Sequence, residues 1–387
     1  MLRFSPPLLL GILGGVLGWG AATLLKNHKK PILYITWAIF ILICINFAAI
    51  SVDLNPAAVK MASREPVVGK YNNFNSLNIK TFYLMKRGFG FYDAYSRAFS
   101  SKHDTFGQDP GSVWNWRMPT IFYIWNWMLP TDGFYIFYLY LIMSVLFLYF
   151  SFDIAGGYLK KPLNLIAPAL IVPLFVFGSA GFWFTFPEYW GAFFFMLGIW
   201  GIFKKNKIAA LIGFTFAPLI RSFFILSYLG AIIPAFLKKE KKQALYLLIP
   251  GIIFLFAFLF HYLHIMSLPG AIVPPTGDWL KGDLRHFRVT FSFASVLWSR
   301  AKYILPLILV LFFSAFYALR KDYAGRILLG SATLPMIVFL IAGPSTFRQY
   351  WGIIYLPFIM QAISLAFSSF KYTCVQPPRP HQQEEKG

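Results

Sequence analysis

The sequence contains few of the residues that a soluble protein needs at its surface. Charged residues make up 13% of the 387 residues, and only 14 residues are Asp or Glu. Hydrophobic residues reach 58% and the mean hydropathy is +0.61, so there are too few polar side chains to cover a soluble fold. This composition excludes an ordinary soluble domain and predicts an all-α integral membrane protein with many crossings.

Cysteines and familiar catalytic motifs are also scarce. Cys44 lies in an apolar stretch and Cys374 near a basic C-terminal tail, which favours neither a disulfide framework nor a cysteine metal site. The sequence has no glycine-rich phosphate loop, no Ser/His/Asp order, no internal repeat and no metal-ligand spacing. His261 and His264 lie one helical turn apart, but without a third ligand nearby they indicate interfacial packing rather than zinc binding.

Basic residues, by contrast, are abundant: 35 Lys and Arg give a formal charge of +21. In a soluble chain this charge would suggest nucleic acid, yet here the basic residues lie in short gaps between apolar segments. The membrane charge-bias rule explains them better, so no nucleic-acid partner is predicted. The basic gaps, predicted to be cytoplasmic, hold Lys26 to Lys30, Lys160/Lys161, Lys204 to Lys207, Lys238 to Lys242, Arg320 to Arg326 and the tail from Lys371.

Eleven apolar segments predict about eleven transmembrane helices in a single polytopic domain over residues 1–375. Residues 376–387, rich in Pro, Gln and Glu, are predicted to form a disordered cytoplasmic tail. The first segment is interpreted as a retained helix rather than a signal peptide, because no convincing cleavage site follows it. The segments are 5–25, 31–51, 133–152, 163–183, 186–203, 208–220, 222–237, 244–264, 303–319, 327–343 and 351–370.

The remaining gaps then face outward and carry most of the acidic residues. They are a long loop at 52–132, a second loop at 265–302, and short turns near Glu188, Arg221 and Arg348. Within the long loop, residues 119–129 are typical of a short interfacial helix that ends at Pro130. Because nine of the fourteen carboxylates fall on this side, chemistry is predicted there. They are Asp53, Glu65, Asp93, Asp104, Asp109, Asp132, Glu188, Asp278 and Asp283.

Arg221 interrupts an apolar run that has lysine clusters on both flanks. If both clusters face the cytoplasm, the run crosses the membrane and returns, which places Arg221 at the far turn. Each arm has 13 to 16 residues, short of the roughly 20 needed to span hydrocarbon, so the turn is predicted to lie within membrane depth. An arginine at that depth needs either a charge-compensating partner or a water-filled cavity, and this requirement indicates an anion site. The alternative is snorkelling towards lipid headgroups.

The segment from Gly88 to Ala98, GFGFYDAYSRA, is followed about twenty residues later by WNWRMP, which ends at Pro119. These motifs resemble the GT-C class of membrane glycosyltransferases, which use polyprenyl-phosphate sugars as donors. In that class a long first outer loop carries an acidic residue beside a Tyr-containing amphipathic helix, then a basic residue and a proline that open a second surface helix. Gly88 and Phe89 stand where the class usually has a paired acidic motif.

The resemblance implies that one carboxylate deprotonates or orients the acceptor hydroxyl and that cations stabilise the departing lipid phosphate. Asp93 is the first candidate base and Asp53 the second. The alternatives are that Asp93 pairs with Arg97 on a helix and that Asp53 caps a helix beginning near residue 56.

Five further residues are predicted to bind substrate. Arg221, Arg348 and Arg117 are the phosphate ligands, and Glu188 and Tyr92 are the contacts to sugar or acceptor. Glu188 opens a helix, where its charge also suits the positive end of the dipole. The loop at 265–302 is interpreted either as a mobile basic cover over this site or as a solvated connector. A divalent metal is compatible with such chemistry, but no feature of the sequence requires one.

The predicted function is transfer of a sugar from a polyprenyl-phosphate donor to a glycan, lipid or protein acceptor at the non-cytoplasmic face. The membrane would be the bacterial inner membrane, or the endoplasmic reticulum in a eukaryote. One alternative is a transporter or flippase for a lipid-linked or anionic solute, which would favour an inverted repeat. Another is a non-catalytic membrane subunit, which would leave Arg221 without a ligand.

Overall fold

A computed structural model describes residues 31–54, 77–99, 116–131, 133–180, 182–237, 241–268, 290, 304–341 and 349–369. These residues contain no β-strand. They form thirteen α-helices with both ends defined: α1 Pro31–Asp53, α2 Leu77–Lys86, α3 Phe91–Phe99, α4 Thr120–Met128, α5 Phe134–Gly156, α6 Ile166–Ser179, α7 Pro187–Phe203, α8 Lys207–Ile220, α9 Phe224–Leu237, α10 Lys241–Met266, α11 Ile304–Leu319, α12 Tyr323–Ile341 and α13 Leu356–Ala366.

All ten predicted apolar segments from residue 31 onward contain a helix, so the helical interpretation is confirmed for the described residues. Two predicted segments contain 3₁₀ turns as well as α-helix. The segment at 163–183 contains α6 with 3₁₀ turns at Leu163–Leu165 and Trp183–Thr185, and the segment at 351–370 contains only the eleven residues of α13 as α-helix. Hydropathy alone does not distinguish α-helix from these apolar flanking turns. A helix is present as α4 at the position predicted for a short interfacial helix, 119–129.

Among the helices of the described residues, four are long and apolar enough to cross a membrane: Ile32–Asp53, Phe134–Gly156, Leu245–Met266 and Tyr323–Ile341. Two of them, Ile32–Asp53 and Leu245–Met266, are only 22% buried over their most apolar window. Large apolar side chains such as Leu255 and Phe260 therefore face away from the protein. An apolar exterior of this kind indicates a protein that is surrounded by lipid.

Helices α7 and α8 form a tight antiparallel hairpin. Lys205, with φ of 56°, ends the first helix, and the Asn206 side chain accepts a hydrogen bond from the Ala209 amide to begin the second. The two backbones approach so closely that a Cβ on Gly213 would lie 2.2 Å from the Gly198 nitrogen. Small residues permit this approach and fix the register of the pair.

Helix α13 lies at the centre of the bundle. Every residue from Leu356 to Ala366 is buried, and the helix packs against α5, α6, α11 and α12. Its Gln361 is fully buried and forms a hydrogen bond with Ser151 of α5. Because α13 is apolar on all sides, its position is that of a core helix surrounded by other helices.

The ends of the bundle bring together gaps that lie far apart in the sequence. At one end, called the Lys204 end, the Lys204 ammonium lies 2.8 Å from the Asp153 carboxylate, and Tyr158 donates to Asp322. At the opposite end, called the Glu188 end, Arg221 contacts Glu188. The gaps at the Lys204 end are all among those predicted to be cytoplasmic, and those at the Glu188 end are all among those predicted to face outward.

Several predictions concern residues outside the described ranges. They are the first apolar segment at 5–25, all of the loop at 265–302 except 265–268 and Thr290, the site candidate Arg348, and the tail at 376–387.

Candidate functional site

Glu188 lies in the first turn of α7, and its local sequence explains why. Pro187 occupies the first helical position, where its fixed φ suits the helix and its missing N–H is not needed. The Glu188 carboxylate follows at the end of the helix that carries partial positive charge, as predicted from the sequence. This helix end is buried, and the Glu188 side chain has no solvent exposure.

Arg221 occupies the turn between α8 and α9, in the position predicted from the flanking lysine clusters. Its backbone is extended, and its amide donates to the Ala217 carbonyl while its carbonyl accepts from the Phe224 amide. These bonds satisfy the adjoining helix ends and hold the turn. Both helices have 14 residues, which corresponds to about 21 Å each, less than the roughly 30 Å of a hydrocarbon core.

The two residues form a buried ion pair. Arg221 Nε lies 2.6 Å from Glu188 Oε1, and the side chains are 4% and 0% exposed. The N–H does not point at the oxygen well enough for a hydrogen bond, so charge attraction holds the contact. Removing either group would leave the other as an uncompensated charge in a medium of low dielectric constant. Glu188 is thus one anionic partner of Arg221 within the protein.

Two aromatic rings pack against the Arg221 guanidinium. Its central carbon lies 4.5 Å from the ring centre of Phe223 and 5.4 Å from that of Trp351, and these two rings are 4.6 Å apart. A desolvated cation over aromatic faces gains about 2 kcal/mol. Trp351 belongs to the 3₁₀ segment Gln349–Ile354, which packs against α7. Neither ring was singled out in the sequence, where Phe and Trp are too common to be informative.

Helices α2 and α4 pack at the same end of the bundle. The Asn78 side-chain amide donates to the Thr185 carbonyl at 3.1 Å, just before Glu188. The Lys86 ammonium donates to the Asn126 and Leu129 carbonyls at the C-terminal end of α4, where a cation complements the helix dipole. These bonds connect the first half of the long loop to the second and both to the Glu188 end.

Aromatic packing continues this connection from α3 to α7. Phe91 of α3 contacts Phe122 of α4 with ring centres 5.1 Å apart, Phe122 contacts Trp125 at 5.4 Å, and Trp125 contacts Trp190 at 5.1 Å. Trp190 lies two residues after Glu188. The motif that resembles the GT-C class therefore packs on the end of the bundle that holds the buried ion pair.

Tyr92 links α3 to the end of α10. A hydrogen bond of 2.8 Å joins its hydroxyl to Nδ1 of His261, and its ring lies 4.0 Å from that of His264 and 5.8 Å from that of Trp116. Both histidines thus pack against Tyr92. Burial, and to a smaller extent Tyr123, raises the pKa of Tyr92 to about 12, so the phenol stays protonated at neutral pH.

We expect Tyr92→Phe to destabilise the contact between α3 and α10 by about 1 kcal/mol, because it removes the hydrogen bond and keeps the ring. The pKa of Tyr92 is raised above the ordinary value of about 10. Its stabilising contribution is therefore complete below pH 10 and is lost as the pH rises through 12. The alkaline melting temperature of the variant should consequently fall less steeply than that of wild type.

The two candidate bases lie in different surroundings from Glu188. Asp93 pairs with Arg97 one helical turn away, at 2.9 Å, and the two side chains are 51% and 57% exposed. This is the salt bridge weighed as the alternative in the sequence. Asp53 is the last residue of α1 and is also exposed. The helix that it was suggested to cap, near residue 56, lies outside the described residues.

The remaining candidate Arg117 is buried and lies two residues before Pro119, which precedes α4. Its position agrees with the predicted order of basic residue, proline and surface helix. Arg348 lies three positions before Trp351 in the sequence but outside the described residues. In the described part of the chain, no three His, Cys, Asp or Glu side chains lie close enough to share a metal ion.

Comparisons with family models, with curated proteins and with solved structures found no match to this chain. The inferences below therefore rest on the residues themselves. The sequence predicted substrate-binding roles for both Glu188 and Arg221 but did not predict that the two side chains contact each other. A signal was available, because Glu188 and Arg221 lie at nearly equal distances along the chain from the turn at 204–206.

Proposed function

We propose that this protein is a membrane glycosyltransferase that takes a sugar from a polyprenyl-phosphate donor and transfers it by single displacement to a glycan, lipid or protein. The observation that supports the proposal is the convergence at the Glu188 end. There a buried arginine and a buried carboxylate lie beneath surface helices that carry the GT-C-like motif. Group transfer needs both an anion-stabilising cation and a proton acceptor, and this end of the bundle supplies both.

The proposed topology has about eleven crossings in one polytopic domain, with the Glu188 end facing away from the cytoplasm. Side-chain contacts support this arrangement. At each end of the bundle they connect interhelical gaps that were predicted to lie on the same side of the membrane. The lengths of α8 and α9 support a position for Arg221 below the membrane surface, where a lipid-linked phosphate would arrive from the bilayer. In a bacterium this membrane is the inner membrane, and in a eukaryote it is the endoplasmic reticulum.

In the proposed reaction Arg221, Arg117 and Arg348 surround the departing phosphate, because guanidinium groups donate two parallel hydrogen bonds to phosphate oxygens. Tyr92 and Glu188 contact the sugar or the acceptor. Asp93 and Asp53 are the candidate bases that the resemblance implies. As the phosphate leaves, negative charge develops on its bridging oxygen, and preorganised cations stabilise that charge without reorganising.

The test is turnover of synthetic polyprenyl-phosphate hexoses and pentoses by purified protein supplied with a membrane extract of glycans, lipids and proteins as acceptors, with and without EDTA and added Mg²⁺ or Mn²⁺. We expect release of polyprenyl phosphate by wild type. Arg221→Lys keeps a positive charge but has no guanidinium fork, so we expect kcat/KM to fall at least tenfold. The matched control is Arg320→Lys, an arginine that stacks on Tyr317 outside the Glu188 end and should retain wild-type turnover.

Two outcomes would contradict the proposal. One is the absence of sugar release from every carrier by folded wild-type protein. The other is movement of a fluorescent polyprenyl-phosphate sugar between the leaflets of a reconstituted vesicle without chemical change, which would favour the transporter or flippase.

A further inference from the structure

The carboxylates of the candidate site differ in how they are held. Asp93 and Asp53 are exposed, and the ion pair between Asp93 and Arg97 is screened by water and salt. Glu188 is fully buried and lies beside a cation that is itself almost fully buried. Of the three carboxylates, Glu188 alone is held in a fixed, buried position, and a fixed acceptor oxygen favours proton transfer because its orientation is set in advance.

The two oxygens of the Glu188 carboxylate have different surroundings. Oε1 lies at the Arg221 guanidinium, whereas Oε2 is buried and has no hydrogen-bond partner among the described residues. A buried acceptor without a donor costs about 1 to 3 kcal/mol, and such groups in native proteins call for an explanation. A hydroxyl group bound at Oε2 would supply the missing donor.

Buried aromatic residues neighbour Glu188 in the sequence at the start of α7. Phe184, Tyr189 and Trp190 are buried around the start of α7, and the Trp190 indole N–H is already satisfied by the Phe184 carbonyl at 2.8 Å. The Tyr189 hydroxyl donates to the Leu174 carbonyl at 3.4 Å, so the donors on both Tyr189 and Trp190 already have backbone acceptors. A hydroxyl on a bound acceptor could therefore serve as the donor to Oε2.

We propose that Glu188 is the catalytic base, with Oε2 accepting the proton of the acceptor hydroxyl; this rests on the proposed function. The acceptor O–H bond breaks and its proton passes to Oε2. The oxygen lone pair forms the new bond to the anomeric carbon, and the bond from that carbon to the phosphate oxygen breaks. Its electron pair leaves with the polyprenyl phosphate, and Glu188 later loses the proton to water. Arg221 lies beside the carboxylate throughout and orients it through Oε1.

The deciding variant is Glu188→Gln, which keeps the shape of the side chain and its ability to accept a hydrogen bond but cannot take the proton. We expect kcat to fall by about 10² to 10⁴, while the Kd of a polyprenyl-phosphate sugar stays within about threefold of wild type. That separation of kcat from binding distinguishes a base from a residue that only supports the fold. Asp153→Asn, the same chemical change in an ion pair at the Lys204 end, should leave both constants unchanged.

A second variant covers the case in which Glu188→Gln does not fold. Glu188→Asp retains the charge beside Arg221 but withdraws the carboxylate by one methylene, so we expect a folded protein whose kcat is lower by about 10 to 100-fold. Wild-type kcat in either folded variant, or a greater loss in Asp93→Asn or Asp53→Asn than in Glu188→Gln, would overturn the role of Glu188 and leave the proposed function standing. A wild-type protein without any turnover would remove both.

Discussion

The variant Arg221→Met is expected to lose about 3 to 5 kcal/mol of unfolding free energy, because it leaves the Glu188 carboxylate buried without its counter-ion. The wild-type pair is almost entirely shielded from water, so solvent cannot compensate for the missing guanidinium. Methionine has a similar volume and flexibility, and the loss should therefore reflect charge rather than a cavity. Thermal melting in detergent and denaturant unfolding would each measure it.

The double variant Glu188→Leu/Arg221→Met tests whether the pair acts as a unit. Removing both charges leaves no uncompensated ion, so we expect the double variant to be more stable than Arg221→Met alone. In a double-mutant cycle this appears as a large coupling energy. The matched control is the exposed pair of Asp93 and Arg97, where Asp93→Asn should cost about 0.5 kcal/mol or less. Equal losses at the buried and exposed pairs would contradict the description of the Glu188 end.

Gly230→Ala is expected to separate α9 from α12 at a cost on the order of 3 kcal/mol. A Cβ at this position would lie 2.1 Å from the Gly330 carbonyl oxygen, and because that atom belongs to the backbone it cannot move without its helix. Helix α9 follows directly on the Arg221 turn, so its displacement should also lower turnover of a polyprenyl-phosphate sugar. Melting temperature and specific activity, measured on the same preparation, report the two effects.

Gly156→Ala is the control for this effect. Gly156 is also helical, at the end of α5, but its Cβ would meet only the Asn164 side-chain nitrogen at 3.5 Å, an ordinary contact. Alanine favours helix over glycine by up to about 1 kcal/mol, and we expect stability equal to wild type or slightly higher. If Gly230→Ala behaved in the same way, the close approach of α9 and α12 would be wrong.

The helices were largely predictable because their signal is local. An apolar run bounded by lysines identifies a segment such as α8 from its own residues, and Asn206 and Pro187 mark helix starts by elementary capping rules. Segment ends were less predictable: the 3₁₀ turns around α6 are as apolar as the helix, so hydropathy does not separate them.

The candidate site was predictable residue by residue but not as an arrangement. Arg221 and Glu188 were each recognised because a charged residue lies in an apolar stretch of sequence. Their contact, however, depends on the register of α7 against α8, and the close glycine contacts set that register. The aromatic contacts of Arg221 come from Phe223 and Trp351, whose residue types recur throughout the chain. The solvent exposure of the carboxylates could not be predicted either. The sequence ranked Asp93 above Glu188 as a candidate base, and only the packing shows that Asp93 is exposed and Glu188 is buried.

The central position of α13 has a consequence for biosynthesis. Of the described helices it is the last to leave the ribosome, yet four others pack around it and none of its residues reaches the exterior. Earlier helices can insert one by one, but the space they enclose stays unfilled until translation has passed residue 366. A ribosome paused before that codon would therefore hold a chain whose helices are already in the membrane and whose interior is still open, a state that quality-control proteases and chaperones would encounter at every round of synthesis.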